Sequence, residues 1–416
     1  MIQPRLPKRL IVCLDGTWND ARGATQVTNV VRIRDALVSG ADTNGDIQQR
    51  IYYDEGVGTG DGPIDKVFGG AFGSGLSRNI RQAYKYLCRH YNPGDDIHII
   101  GFSRGSFTAR SLAGMIGVCG LLRKESCTTE NEHLVWSYYH TDRKDRSPGD
   151  ESKWRDVSYS DVPIRSVAVF DTVGSLGIPD RYLNQILHSR FAFHDTRIGT
   201  AIKNAFHAIA IDERRRPFSP TLWERPFNTP KYGNVQQVWF PGVHADVGGG
   251  YPEAALSSIA LDWIVKKLKS VGVEFEEEEL KSAGLGSVRD APAGTIHESR
   301  SWLYLADRMR LYFRRITRDG GFEAARGDDE QLRYDPLDES IHCSALERAV
   351  RVPEYRPLNL GAVLHLIEKG CLGVIDWDGG PLKPEDAKGR LEAISDWKAW
   401  SSHARRMAFA SPSPLW

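Results

Sequence analysis

The sequence predicts an α/β protein built on a doubly wound, mostly parallel sheet. Three observations carry this. Short apolar runs recur through the first two thirds of the chain, amphipathic helical stripes separate them, and serine, aspartate and histidine residues stand at or just past the ends of the runs. The runs lie at residues 10–14, 51–53, 97–100, 166–170, 208–211 and 235–240, bounded by Gly, Asp and Pro. They are short and apolar, as in strands covered on both faces. Between them, Leu76, Ile80, Ala83, Tyr84, Leu87 and Cys88 form one helical stripe, and Leu256, Ile259, Ala260, Trp263, Ile264 and Leu268 form another. In such sheets the functional loops collect at the carboxyl ends of the strands.

A catalytic domain is expected over residues 8–270, with a cap-like insertion at 121–162 that is polar and aromatic, and a C-terminal extension at 271–416 packing on it. The acidic residues from Glu274 to Glu279 read as a solvated face. Lys plus Arg equals Asp plus Glu at 54 each, so the basic footprint of a nucleic-acid binder is absent. The six cysteines have no metal-finger spacing and read as isolated thiols. The five-residue apolar run near the start is too short for a signal-peptide core, and no run reaches membrane-span length. A cytoplasmic location is therefore expected, with signal-less export left open.

The strongest motif is Gly101-Phe102-Ser103-Arg104-Gly105, set between a strand-like run and a helix-compatible stretch at 106–118. That setting suits a nucleophile elbow: the glycines leave room for a tight turn that lifts a serine hydroxyl above the sheet. A serine needs a base, and His244 follows the last strong run through Pro241-Gly242-Val243 and precedes a glycine-rich loop. Two acids lie between them in sequence, Asp171 after residues 166–170 and Asp212 after residues 208–211, and either could orient an imidazole. Asp171 has no adjacent cation, whereas Asp212 precedes Glu213-Arg214-Arg215-Arg216 and can anchor that charged loop, so Asp171 is preferred.

The backbone N–H of Arg104 is placed for an oxyanion hole, and Gly16 or Thr17 after the first strand is the second candidate donor. Trp136 and Tyr139 of the insertion are candidate acyl-chain contacts, and Arg214 and Arg215 are candidate partners of a phosphate headgroup. The strand end Asp15-Gly16-Thr17 evokes haloacid-dehalogenase-type phosphatases, but Cys13 stands where their nucleophilic aspartate belongs. Two alternatives remain: a metal-dependent phosphatase or phosphodiesterase using Asp15, Asp171, Asp246 and His244, and a non-catalytic binding protein on a hydrolase fold.

Five segments together resemble one family: Asp15-Gly16-Thr17-Trp18-Asn19, the Ser103 elbow, Phe170-Asp171-Thr172-Val173-Gly174, the stretch from His207 through Asp212, and the stretch from Pro241 through His244 to Tyr251. It is the α/β-hydrolase family of uncharacterised proteins that includes the catalytic domain of the first class of type VI secretion phospholipase effectors. The resemblance spans roughly residues 8–270. It implies Ser103, Asp171 and His244 as a triad and phospholipase A-type ester hydrolysis. The expected protein is thus an α/β-hydrolase-like serine esterase acting through an acyl-enzyme on a lipid or other ester. It needs no metal or other cofactor and no nucleic acid, a peripheral membrane contact is compatible with it, and the oligomeric state is left open.

Overall fold

The computed structural model describes residues 7–16, 27–41, 47–56, 71–141, 145–173, 201–226, 233–286, 288–299, 312–317, 334–336 and 338–410. Among these, nine strands form one sheet: β1 (Lys8–Leu14), β2 (Gly40–Ala41), β3 (Gln48–Asp54), β4 (Asp96–Phe102), β5 (Ser166–Phe170), β6 (Asn204–Ala210), β7 (Asn234–Phe240), β8 (Glu339–His342) and β9 (Gly373–Ile375). Their order is β9-β8-β7-β6-β5-β4-β1-β3-β2. Every pairing is parallel except that of β2 with β3. Five of the six apolar runs fall inside one strand each, the run at 208–211 ends one residue past Ala210, and apart from residues 166–170 the strands reach beyond the runs.

Burial explains the runs. In β1, Leu10, Val12 and Leu14 enter one core cluster while Ile11 and Cys13 enter the other. The strand alternates, as strands must, but both faces are dry, so both are apolar. Helices α2 (Ala71–His90) and α3 (Arg104–Cys119) cover one face through Tyr84, Leu87, Leu112 and Met115. Helices α1 (Asn29–Ala36) and α7 (Ala255–Ser270) cover the other through Ile33, Trp263 and Ile264.

The chain leaves β1 towards β3 on one side and leaves β4 towards β5 on the other. The crevice between the carboxyl ends of β1 and β4 is therefore the topological switch point, where doubly wound sheets bind their ligands. Register brings the strand ends level there. Leu14 stands opposite Gly101, Phe102 opposite Phe170, and Phe170 opposite Ala208.

Residues after 270 are not a layer added to a finished domain, because β8 and β9 continue the same sheet beyond β7, where Trp239 donates its indole N–H to Glu339 at 2.7 Å. Nor does the 121–162 insertion sit over the strand ends. Its helix α4 (Thr129–His140) rides on α2 and the far part of α3, and α5 (Pro148–Arg155) packs on α4. The buried carboxylate of Glu132 receives the Arg81 fork from α2 at 2.6 Å per bond, and the Tyr139 ring fills the space that Gly114 leaves on α3. Gly114 lies eleven residues past Ser103, about 16 Å along the helix axis.

Both margins of the sheet are short. β2 has two residues and β9 has three. The chain after β9 folds back on it, with a bridge between Ile375 and Pro381 and a 2.7 Å bond from Leu382 N to Val374 O.

Candidate active site

Ser103 occupies the turn between β4 and α3 with φ 57° and ψ −117°, a left-handed φ that non-glycine residues rarely adopt. Its N–H is held by Phe170 O at 3.0 Å, and its C=O accepts from Phe107 N at 3.3 Å inside the helix. The flanking glycines are required by space. A Cβ at Gly101 would stand 2.6 Å from Gly105 O, and one at Gly105 would stand 2.0 Å from Leu14 O. Strand and helix approach too closely for any side chain at either position.

His244 begins the short helix α6 (His244–Gly248), just past β7. Its Nε2 lies 2.8 Å from Ser103 Oγ and its Nδ1 lies 2.6 Å from Asp171 Oδ2. The three side chains thus form one hydrogen-bonded chain, with Ser103 and His244 at 6% exposure and Asp171 at 0%. The imidazole is flanked by Phe102, with ring centroids 4.8 Å apart, and by Phe218 at 5.0 Å. Gly248 must be bare for this, since a Cβ there would strike the Phe102 ring. Burial pushes the His244 pKa below its ordinary value, and the hydrogen bond and charge of Asp171 only partly oppose that.

Asp171 follows β5 with φ 40°. Its carboxylate accepts four hydrogen bonds. Ala210 N (3.0 Å) and Arg314 Nη1 (2.6 Å) reach Oδ1, and His244 Nδ1 (2.6 Å) and Arg314 Nη2 (2.9 Å) reach Oδ2. Burial alone would raise this carboxyl's pKa, but the Arg314 guanidinium and the His244 bond outweigh it and hold the group well below the usual carboxylate range. The next residue is fixed too, because Thr172 N donates to His207 Nε2 at 3.0 Å. Burial holds the His207 pKa near 3, so that ring is neutral and can accept.

The other residues singled out from sequence lie elsewhere or have other partners. Asp212 accepts Gly242 N at 2.7 Å and Tyr355 OH at 3.0 Å on the same oxygen, Oδ2. It therefore braces the loop before His244 rather than the imidazole. Arg104 is the first residue of α3, so its N–H faces the open end of the helix beside Ser103. Gly16 N donates to Asp15 Oδ1 at 2.7 Å, which turns it towards its own neighbour, and Thr17 lies outside the described residues. Arg215 forks onto Glu213 and lies 3.5 Å above the Phe218 ring, while Arg214 lies over Phe313. Trp136 and Tyr139 pack beside each other on the α2–α3 flank. Asp15, Asp171, Asp246 and His244 are not gathered to one point, and among the described residues no group of three or more His, Cys, Asp or Glu is placed to hold a metal ion.

Three participants carry no sequence signal strong enough to find. Arg314 is fully buried, yet it stands in an ordinary Tyr312-Phe313-Arg314-Arg315 stretch. Glu213 is fully buried against Arg215 and accepts His244 N at 3.3 Å. His207 is one apolar-flanked histidine among twelve, and only the fold places it beneath Thr172.

The family model described as “T6SS, Phospholipase effector Tle1-like, catalytic domain” matches residues 8–267. An uncharacterized protein of Saccharomyces cerevisiae is 31% identical over 234 residues, 51% of this chain and 32% of the yeast protein, so the chain matches about a third of that relative's length. Among solved structures, the Tle1 effector bound to the VgrG spike of the type 6 secretion system is 14% identical with a TM-score of 0.39, covering 72% of this chain and 82% of its own. An uncharacterized protein from Pseudomonas aeruginosa is 17% identical with a TM-score of 0.44, covering 97% and 62%. Esterase 2 of Thermogutta terrifontis is 10% identical with a TM-score of 0.29, covering 64% and 84%.

Proposed function

Because the chain belongs to the family of Tle1-like phospholipase effector catalytic domains, we propose that it is a serine esterase that removes acyl chains from glycerophospholipids or related lipid esters. The observation that carries this reading is the hydrogen-bonded chain from Ser103 Oγ through His244 to Asp171 at the switch point of the sheet. Ser103 attacks the ester carbonyl while His244 Nε2 takes its proton. The developing oxyanion is met by the N–H of Arg104 and the positive end of α3. The tetrahedral intermediate collapses, the alcohol leaves with the proton from His244, and the acyl group stays on Ser103. Water, activated by the same imidazole, then releases the fatty acid. Asp171 keeps Nδ1 protonated, so that Nε2 is the basic nitrogen throughout.

The test is direct. Incubation with a fluorophosphonate should add one adduct to the intact mass, and Ser103→Ala should abolish it. Ser103→Ala should also cut release of fatty acid from phospholipid vesicles by at least about a thousandfold while keeping the fold. A folded Ser103→Ala protein within about tenfold of wild type would overturn the assignment. A wild-type protein that takes up no probe would favour a binding role on the same scaffold.

A further inference from the structure

Arg314 is a fully buried cation whose guanidinium clasps the carboxylate facing His244. It also donates to Ala210 O at 2.9 Å and Phe218 O at 2.5 Å, which ties it to the end of β6 and to the residue whose ring borders the imidazole. It lies beyond residues 8–267, so the segment after the matched domain reaches back into the site.

We infer that Arg314 is a fourth, positioning member of the site: it fixes the Asp171 carboxylate and neutralises it, so that His244 serves as a base at lower pH than an unneutralised aspartate–histidine pair would allow. This rests on the reading of Ser103 and His244 as nucleophile and base. An isolated carboxylate beside an imidazole favours the imidazolium. A guanidinium on both oxygens of that carboxylate cancels most of the attraction. Of the other charges near His244, Arg215 lowers its pKa and Glu213 raises it, so the two oppose each other, and neither touches the Asp171 carboxylate. Glu213, which meets His244 N, is paired with Arg215 at 2.8 Å. Asp246, on the same helix, is held by His297 at 2.6 Å. Asp212 faces Gly242 and Tyr355, and Arg104 borders a recess with Asp15 and Asp54. Burial, which lowers the His244 pKa, acts in the same direction as Arg314.

The readout is the rate of fluorophosphonate labelling against pH. In that reaction the Ser103 Oγ–phosphorus bond forms, fluoride leaves and His244 takes the hydroxyl proton, so the ascending limb reports the coupled aspartate–histidine titration. Wild type should show its midpoint below the ordinary histidine value of about 6.5. Arg314→Gln should move it up by about one pH unit or more. Arg314→Lys keeps the charge without the fork, so its midpoint should stay near that of wild type while labelling slows by about tenfold or more. A merely structural arginine would lower the amount of folded protein and leave the limb in place. The inference is overturned if folded Arg314→Gln keeps the wild-type midpoint. If Arg314→Gln does not fold, a wild-type midpoint at about 7 or above overturns it. A wild type that is not labelled at any pH sinks the nucleophile reading instead.

Discussion

Asp171 and Asp212 follow neighbouring strands, yet their surroundings separate them. Asp171 has a cation on both oxygens, while Asp212 is buried with two neutral donors on one oxygen, and burial raises its pKa to about 6. Asp171→Asn should lower turnover by about three to four orders of magnitude, since an amide favours the wrong histidine tautomer. It should also lower the melting temperature, because Arg314 is left buried without its counter-charge. Kinetics on a soluble ester beside melting curves check both effects. Asp212 carries the opposite linkage sign. The native state holds its proton more tightly than the unfolded chain, so its ionisation costs stability as pH rises from about 4 to about 6. The full penalty is about 3 kcal/mol above that window. Asn at 212 can keep both bonds through its amide oxygen. Asp212→Asn should therefore stay active, match or exceed wild-type stability at pH 8, and flatten the melting profile between pH 4 and 6. A loss of activity equal to that of Asp171→Asn would reverse the assignment. The ambiguity between the two was inherent in the sequence. Both stand at strand ends, and what separates them is Arg314, about a hundred residues or more away in the chain.

Among the elements, the tightest fit is the crossing of β1, β4 and α3 around Gly101 and Gly105. Gly105→Ala drives a methyl into the Leu14 carbonyl, where backbone cannot yield without dragging β1. It should destabilise the fold by about 3 kcal/mol or more and abolish labelling of Ser103, as denaturant melts and probe uptake would report. Glycine spacing made this element legible from sequence, and residues 166–170 are a strand to the residue because all five side chains, four of them apolar, are buried on both faces. β8 and β9 are different. Glu339–His342 and Gly373–Ile375 are too short and too mixed to announce a strand, and they are strands because β7 offers a parallel edge to β8, and β8 one to β9. The 121–162 segment was legible as an insertion but not as to its seat, since its aromatics fit a helix flank as well as a lipid pocket. The structure gives the expected outcome for Trp136→Ala with Tyr139→Ala: a lower melting temperature from lost apolar burial, with the ratio of long-chain to short-chain ester hydrolysis unchanged within about twofold. Selective loss on long chains would return the segment to the substrate.

For the whole molecule, the site is a joint product of the matched domain and the C-terminal segment beyond it. A chain ending at residue 270 would lose Arg314 and strip β8 from the edge of β7, uncovering one side of the core around Phe240 and Trp263, where His342 stacks on Phe240. Such a chain should fail to give a cooperative thermal transition or a labelled serine. A cooperative, labelled fragment would show that the matched residues stand alone. The margins of the sheet have a separate bearing, on self-association. A long exposed edge strand offers a row of unsatisfied N–H and C=O groups on which another chain can crystallise as a further strand. Here β9 is only three residues long and is closed by its own returning chain with Pro381, which has no N–H to offer. That edge gives a neighbouring molecule little backbone to grip, so fibrillar stacking through it is disfavoured.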